Sequence, residues 1–160
     1  MESLASLKKE LSGLERSELI SICARLARHK KENKELLAYL LLDADDPMLY
    51  AEKIKPSLDE PFDAPFYSTW AFAKRLRKAL RLISKYQRFT SNARGEAELL
   101  IYFLQPFQND WRGQLRHTAI QKIVLRCIDK IEKLIHKIDE DYRADFEDPL
   151  QALRELLKDL

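Results

Sequence analysis

The residues best spaced to do chemistry are Asp129, Glu132, His136 and Glu140, three or four positions apart, so that a helix would project all of them from one face. Carboxylates and an imidazole in that pattern suggest a metal site. Di-iron helical bundles build theirs from Glu-x-x-His pairs on two helices with two further glutamates. Here Glu132 and His136 stand one residue too far apart for such a pair, and His29 and Glu32 show the spacing in reversed order. Lys130, Lys133 and Lys137 also interleave through the stripe. Alternating charge of this kind belongs to a solvated, salt-bridged helix face, so no metal and no cofactor are expected.

Other catalytic signatures are missing. Phosphate-cradling loops need clustered glycines so that backbone amides can approach the anion, and Gly13, Gly95 and Gly113 are far apart. There is no Gly-x-Ser-x-Gly elbow, and Cys23 and Cys127 are too distant in sequence for zinc-ligand spacing. No catalytic residue is assigned, and the chain is expected not to be an enzyme. Both cysteines sit on apolar helical stripes, which predicts buried, reduced thiols: Cys23 against Leu19 and Leu26, Cys127 against Ile123 and Ile131.

The strongest chemical feature is cationic. The segment WAFAKRLRKALRLISKYQRF, residues 70–89, contains seven Lys and Arg and no carboxylate. At about 100° per residue, Lys74, Lys78, Arg81, Lys85 and Arg88 form one stripe with Arg77 at its edge. Phe72, Leu76, Ala79, Leu80, Ile83 and Tyr86 lie opposite, and Arg75 stands toward the apolar flank. A core explains the dry side, but a wet side free of carboxylates forgoes the i,i+4 pairs that mixed charge supplies. With Arg94 added, this basic helix (74–94) is the candidate anion- or partner-binding surface. Trp70, Phe72, Tyr86 and Phe89 border it. Such aromatics can stack on single-stranded nucleic acid, although at helical spacing they are expected in the core.

Charge is segregated along the chain. Residues 1–63 carry 10 Lys/Arg against 13 Asp/Glu, residues 64–138 carry 15 against 5, and residues 139–160 carry 3 against 8. The acidic element DEDYRADFED is therefore a candidate internal partner. Asp139, Glu140, Asp141 and Asp145 are expected near Lys74, Lys78, Arg81 and Lys85, with Tyr142 and Phe146 anchoring the element. An external polyanion is the competing explanation. A net charge of only +2 favours the internal one, because nucleic-acid surfaces usually accompany a clearly basic domain.

The elements that must position these groups are helical. A composition 46% apolar and 34% charged, with few glycines, suits a globular protein rich in exposed helix surface. Leu4, Leu7 and Leu11 mark a first helix, and Ser12-Gly-Leu-Glu15 has capping-box spacing before a second. Leu36, Leu37, Leu40 and Leu41 mark a third. Asp46-Pro47 opens a fourth toward Ile54, and longer helices are expected over about 65–89, 93–105 and 110–138. A last one runs from Asp148-Pro149 to the chain end. The expectation is an all-α antiparallel bundle or irregular array of seven to eight helices. It is read as one domain, 1–160, with the proline-rich residues 55–66 as the one candidate internal linker.

The segments KRLRKALRLISKYQRF, EAELLIYFLQPF and HKIDEDYRADFED, with the opening LERSELISICARLARHKKENKELLAYLL, resemble a family of short, all-helical bacterial proteins of unknown function. The resemblance implies an all-helical fold and brings no catalytic residues. The N-terminus lacks a basic segment followed by an apolar one, and the apolar run Leu36 to Leu42 is too short to span a bilayer, so a cytoplasmic location without membrane association is expected. A helical interaction or adaptor module with a protein partner is the functional expectation. A nucleic-acid-associated protein is the alternative, and a metal-dependent enzyme a distant third.

Overall fold

Short polar side chains set several of the helix starts. Ser3 accepts from the amide of Ser6 at 3.1 Å, Asp46 from Leu49 at 2.9 Å, Ser68 from Ala71 at 3.1 Å and Asn92 from Gly95 at 2.8 Å. Each satisfies an amide that has no carbonyl one turn behind it. In the computed structural model, which describes residues 1–158, the result is α1 (Leu4–Ser12), α2 (Arg16–His29), α3 (Lys31–Leu42), α4 (Pro47–Leu58), α5 (Glu60–Asp63), α6 (Thr69–Thr90), α7 (Ala93–Leu104), α8 (Thr118–Ile135), α9 (Glu140–Arg143) and α10 (Glu147–Lys158). Three 3₁₀ turns at Gln105–Gln108, Arg112–Arg116 and Ala144–Phe146 complete it, and no strand occurs among the described residues. The protein is an all-α helical array. The expected end of the last helix falls on two positions outside the described residues.

Local chemistry moved three boundaries. Ser12 ends α1, with its hydroxyl donating to the Lys9 carbonyl, and the capping box instead joins Glu15 and Glu18. Carboxylates do there what Ser12 was expected to do. The long C-terminal helix begins at Thr118 rather than near 110. Pro106, Asn109 and Gly113 occupy the intervening turns, which bring Phe107 and Leu115 into the core. Ser68 caps α6 a few residues later than expected, after the extended stretch at Pro65.

The chain forms two compact units, divided between Asp45 and Asp46. The division does not coincide with the proline-rich segment, which is packed into the second unit. Residues 55–58 complete α4, Leu58 is 1% exposed, and Pro61 is buried. Phe62 meets Trp111 at 5.4 Å and Phe107 at 5.7 Å between ring centroids, both edge-on. Phe66 stacks on Phe72 at 4.7 Å, and Phe72 on Trp111 at 5.0 Å. Three prolines stop a helical period without loosening the chain, because phenylalanines between them have a core to enter.

That C-terminal unit is built on α6, α7 and α8. The face of α6 formed by Phe72, Ala73, Leu76, Ala79, Ile83 and Tyr86 is buried against α7 and α8, and α4 packs on α6 and α7. α10 closes onto α8 through Leu150, Leu153 and Leu156. The N-terminal unit is different. α2 and α3 pack on each other, joined by the single extended residue Lys30, yet Tyr39 is the only buried residue in α1, α2 or α3.

Candidate functional site

Two surfaces carry features that packing alone does not require, one in each unit.

The first is the wet side of α6. Lys74, Arg77, Lys78, Arg81 and Arg88 are exposed and Lys85 is half-buried, so the helical period separated wet from dry correctly. Lys78 pairs with Glu60 of α5 at 3.0 Å. Lys74 lies over the ring of Trp70, 5.3 Å from its centroid. Trp70 is 69% exposed, which overturns its expected place in the core; Phe72 and Tyr86 are buried as expected. The anomalous Arg75 holds its own chain in place. Its guanidinium donates to the carbonyls of Ala64 and Pro65 at 2.8 and 2.9 Å, pinning the extended stretch before the helix.

The acidic element meets the basic region at Arg94. Phe146 is buried, but Tyr142 is 44% exposed, with the guanidinium of Arg94 stacked 4.0 Å from its ring centroid. Asp139 caps α9 by accepting from the Asp141 amide, and Glu140 pairs with Arg143 one turn on. Arg143 also donates to the carbonyls of Ile138 and His136. The carboxylate that pairs with Lys78 of the stripe is Glu60, because the turn at Asp59 carries α5 directly onto α6.

Packing of α6 on α8 adds cations that the linear sequence separates. Arg77 of α6 and Arg126 and Lys130 of α8 line one groove of about 270 Å³, floored by Leu80, Ile83 and Ile123. Among the described residues neither Arg77, Arg81 nor Arg126 has a carboxylate within ion-pair distance. Lys130 reaches the carboxylate of Glu96, which is 2% exposed. Arg126 was not singled out from sequence. The available signal was the i, i+4, i+8 series Lys122, Arg126, Lys130, hidden within a stretch read as mixed charge.

The carboxylate–histidine stripe is dispersed into ion pairs. Asp129 pairs with Lys133 at 2.7 Å, and Glu132 accepts from Arg154 at 2.8 Å. Among the described residues no three His, Cys, Asp or Glu side chains converge on a point where they could share a metal ion. Burial pushes the Cys127 thiol up to about 12, against the lowering influence of Lys130.

The second surface is apolar. On α2 and α3, Ile20 is 61% exposed, Leu26 56%, Leu40 56%, Leu41 72% and Leu42 79%. Cys23, Leu26 and Ala27 on α2 and Leu36, Leu37 and Leu40 on α3 line a groove of about 270 Å³. Cys23 is exposed, contrary to expectation. The apolar stripe was identified correctly, but two short helices cover only a strip of each other, and Cys23 and Leu26 fall beyond it. Asn33 is the polar member of the groove, and its amide donates to the Leu26 carbonyl at 2.8 Å.

Comparison with family models, with curated proteins and with solved structures finds no match to this chain. The all-helical fold implied by the resemblance is observed, and no family is identified. No helix among the described residues is long and apolar enough to cross a membrane.

Proposed function

We propose that this protein is a helical interaction module that docks a protein partner through the α2–α3 face. One observation carries the reading: helices with leucine and isoleucine at core spacing bury a single residue, Tyr39, among the three elements of their unit. Scattered exposed aliphatics are ordinary on a protein surface, but Leu26 and Leu40 stand exposed along one apolar groove, which marks an interaction site. A unit of this size cannot assemble an adequate core from its own surface. A docked helix would supply the missing apolar neighbours, reading the groove through residues spaced by three and four. A photo-crosslinking side chain at position 41 of the full chain, activated in the native cell, tests this. Discrete heavier adducts from position 41, absent when the same group replaces Gln151, are expected. No discrete adduct from position 41 would end the reading.

A second reading rests on its own observation: among the described residues Arg77, Arg81 and Arg126, on adjoining helices, have no carboxylate partner. Such cations, with the exposed Trp70 at the start of the same helix as Arg77 and Arg81, are suited to a polyanion, with phosphates on the arginines and a base on the indole.

A further inference from the structure

We infer that the groove between α6 and α8 binds a small amphipathic anion, an oxyanion head (carboxylate or phosphate) on a short apolar body. The inference is independent of the α2–α3 face. It shares its arginines with the polyanion reading and assigns them a different ligand. On α6, Arg77, Leu80 and Ser84 stand three and four residues apart and so share one side of the helix. On α8, Ile123, Arg126 and Lys130 have the same spacing and line the groove from the other side. α7 packs on both helices, and its Leu100, 2% exposed, joins Ile83 in the floor.

Charge sets the head of the ligand. Among the described residues no carboxylate lines the groove. Lys130 is committed to the buried Glu96, and that pair neutralises itself. Arg77 and Arg126 remain, one on each helix, and among the described residues neither has a carboxylate within ion-pair distance. Cations of one sign in a groove with apolar walls concentrate anions, because the low-dielectric walls focus their field. Each guanidinium also presents a planar fork that matches two oxygens of a carboxylate or phosphate. The floor sets the body. Leu80, Ile83 and Ile123 offer apolar contact that a bare inorganic anion leaves unused. At about 270 Å³ the groove is just below the usual size of small-molecule sites, so the body is short.

Amide chemical shifts of the full chain, read at constant ionic strength, test the site with hexanoate and hexyl phosphate as probes. Saturable shifts centred on residues 77–84 and 123–130 are expected, with a dissociation constant on the order of 1 mM for probes so small. The tighter probe names the head. Shortening hexanoate to butyrate should weaken binding about tenfold, because two buried methylenes are lost. Arg77→Gln and Arg126→Gln, made separately, should each weaken it about tenfold, the worth of one hydrogen bond to a charged group. Both arginines are exposed, so the helical circular dichroism should be unchanged. Hexanol binding as tightly as hexanoate would overturn the inference, and so would acetate or inorganic phosphate binding as tightly as its hexyl counterpart. Affinity indifferent to both arginine substitutions, or shifts centred on the α2–α3 groove, would overturn it too. A single-stranded oligonucleotide that binds where neither hexyl anion does would end this inference and leave the polyanion reading standing.

Discussion

Gly95 on α7 lies directly against the ring of Tyr86 on α6. A Cβ at position 95 would stand 2.6 Å from Tyr86 Cζ and 2.9 Å from Cε1, and would overlap the hydroxyl oxygen. The ring cannot withdraw, since Tyr86 is fully buried and its hydroxyl donates to the Pro47 carbonyl at 2.9 Å. A missing side chain on α7 thus seats a tyrosine that ties α6 to the start of α4. Gly95→Ala is expected to destabilise the protein by about 2–4 kcal/mol through overpacking, despite the better helix propensity of alanine. Urea denaturation measures it. Combining it with Tyr86→Leu should cost less than the sum of the two single changes, because the two residues contend for one space.

Lys130→Met removes the cation that reaches the buried Glu96. A carboxylate held in the core without its partner is costly. Because the Lys130 side chain is itself 46% exposed, water can compensate in part, and a loss of about 1–3 kcal/mol is expected. Lys78→Met removes the exposed pair with Glu60 and should cost under about 1 kcal/mol. Denaturation midpoints that place the two variants together would contradict this ranking.

The two thiols should behave differently toward alkylating reagents. Cys127, pushed by burial from 9.0 up to about 12, is expected to stay unlabelled in the native protein at pH 8, and Cys23 to react. The raised value also sets a sign for stability. The folded state favours the protonated thiol, so its contribution is complete below about pH 9 and is lost as pH rises from there toward 12. Mass spectrometry of the singly labelled product, followed by denaturation curves at pH 8 and pH 10, checks both statements.

Arg77→Gln with Arg126→Gln tests the polyanion reading. Binding of a single-stranded oligonucleotide should weaken, and the dependence of its logarithm on salt should become shallower by about one unit for each arginine–phosphate pair removed. Binding that is absent at low salt, or that is unchanged in the double variant, would remove this reading.

The sequence alone determined the helical class, the helix start at Asp46-Pro47, and the division of α6 into a dry and a cationic side. Helical period and capping chemistry act over three or four residues, so they can be read locally. Only the tertiary structure decided what each face meets. Residues 55–66 read as a linker because prolines interrupt their period, yet Phe62 and Phe66 join an aromatic cluster supplied by α6 and the turn at Trp111. Cys23 sits on a stripe that looks like core, and it is exposed because α3 is too narrow to cover that stripe. The partners of the basic helix were likewise hidden. Glu60 reaches Lys78 through the turn at Asp59, and Arg126 joins Arg77 only because α8 packs beside α6. Periodicity tells which side of a helix is dry; the identity of the neighbour depends on meetings between residues far apart in the chain, which no local spacing encodes.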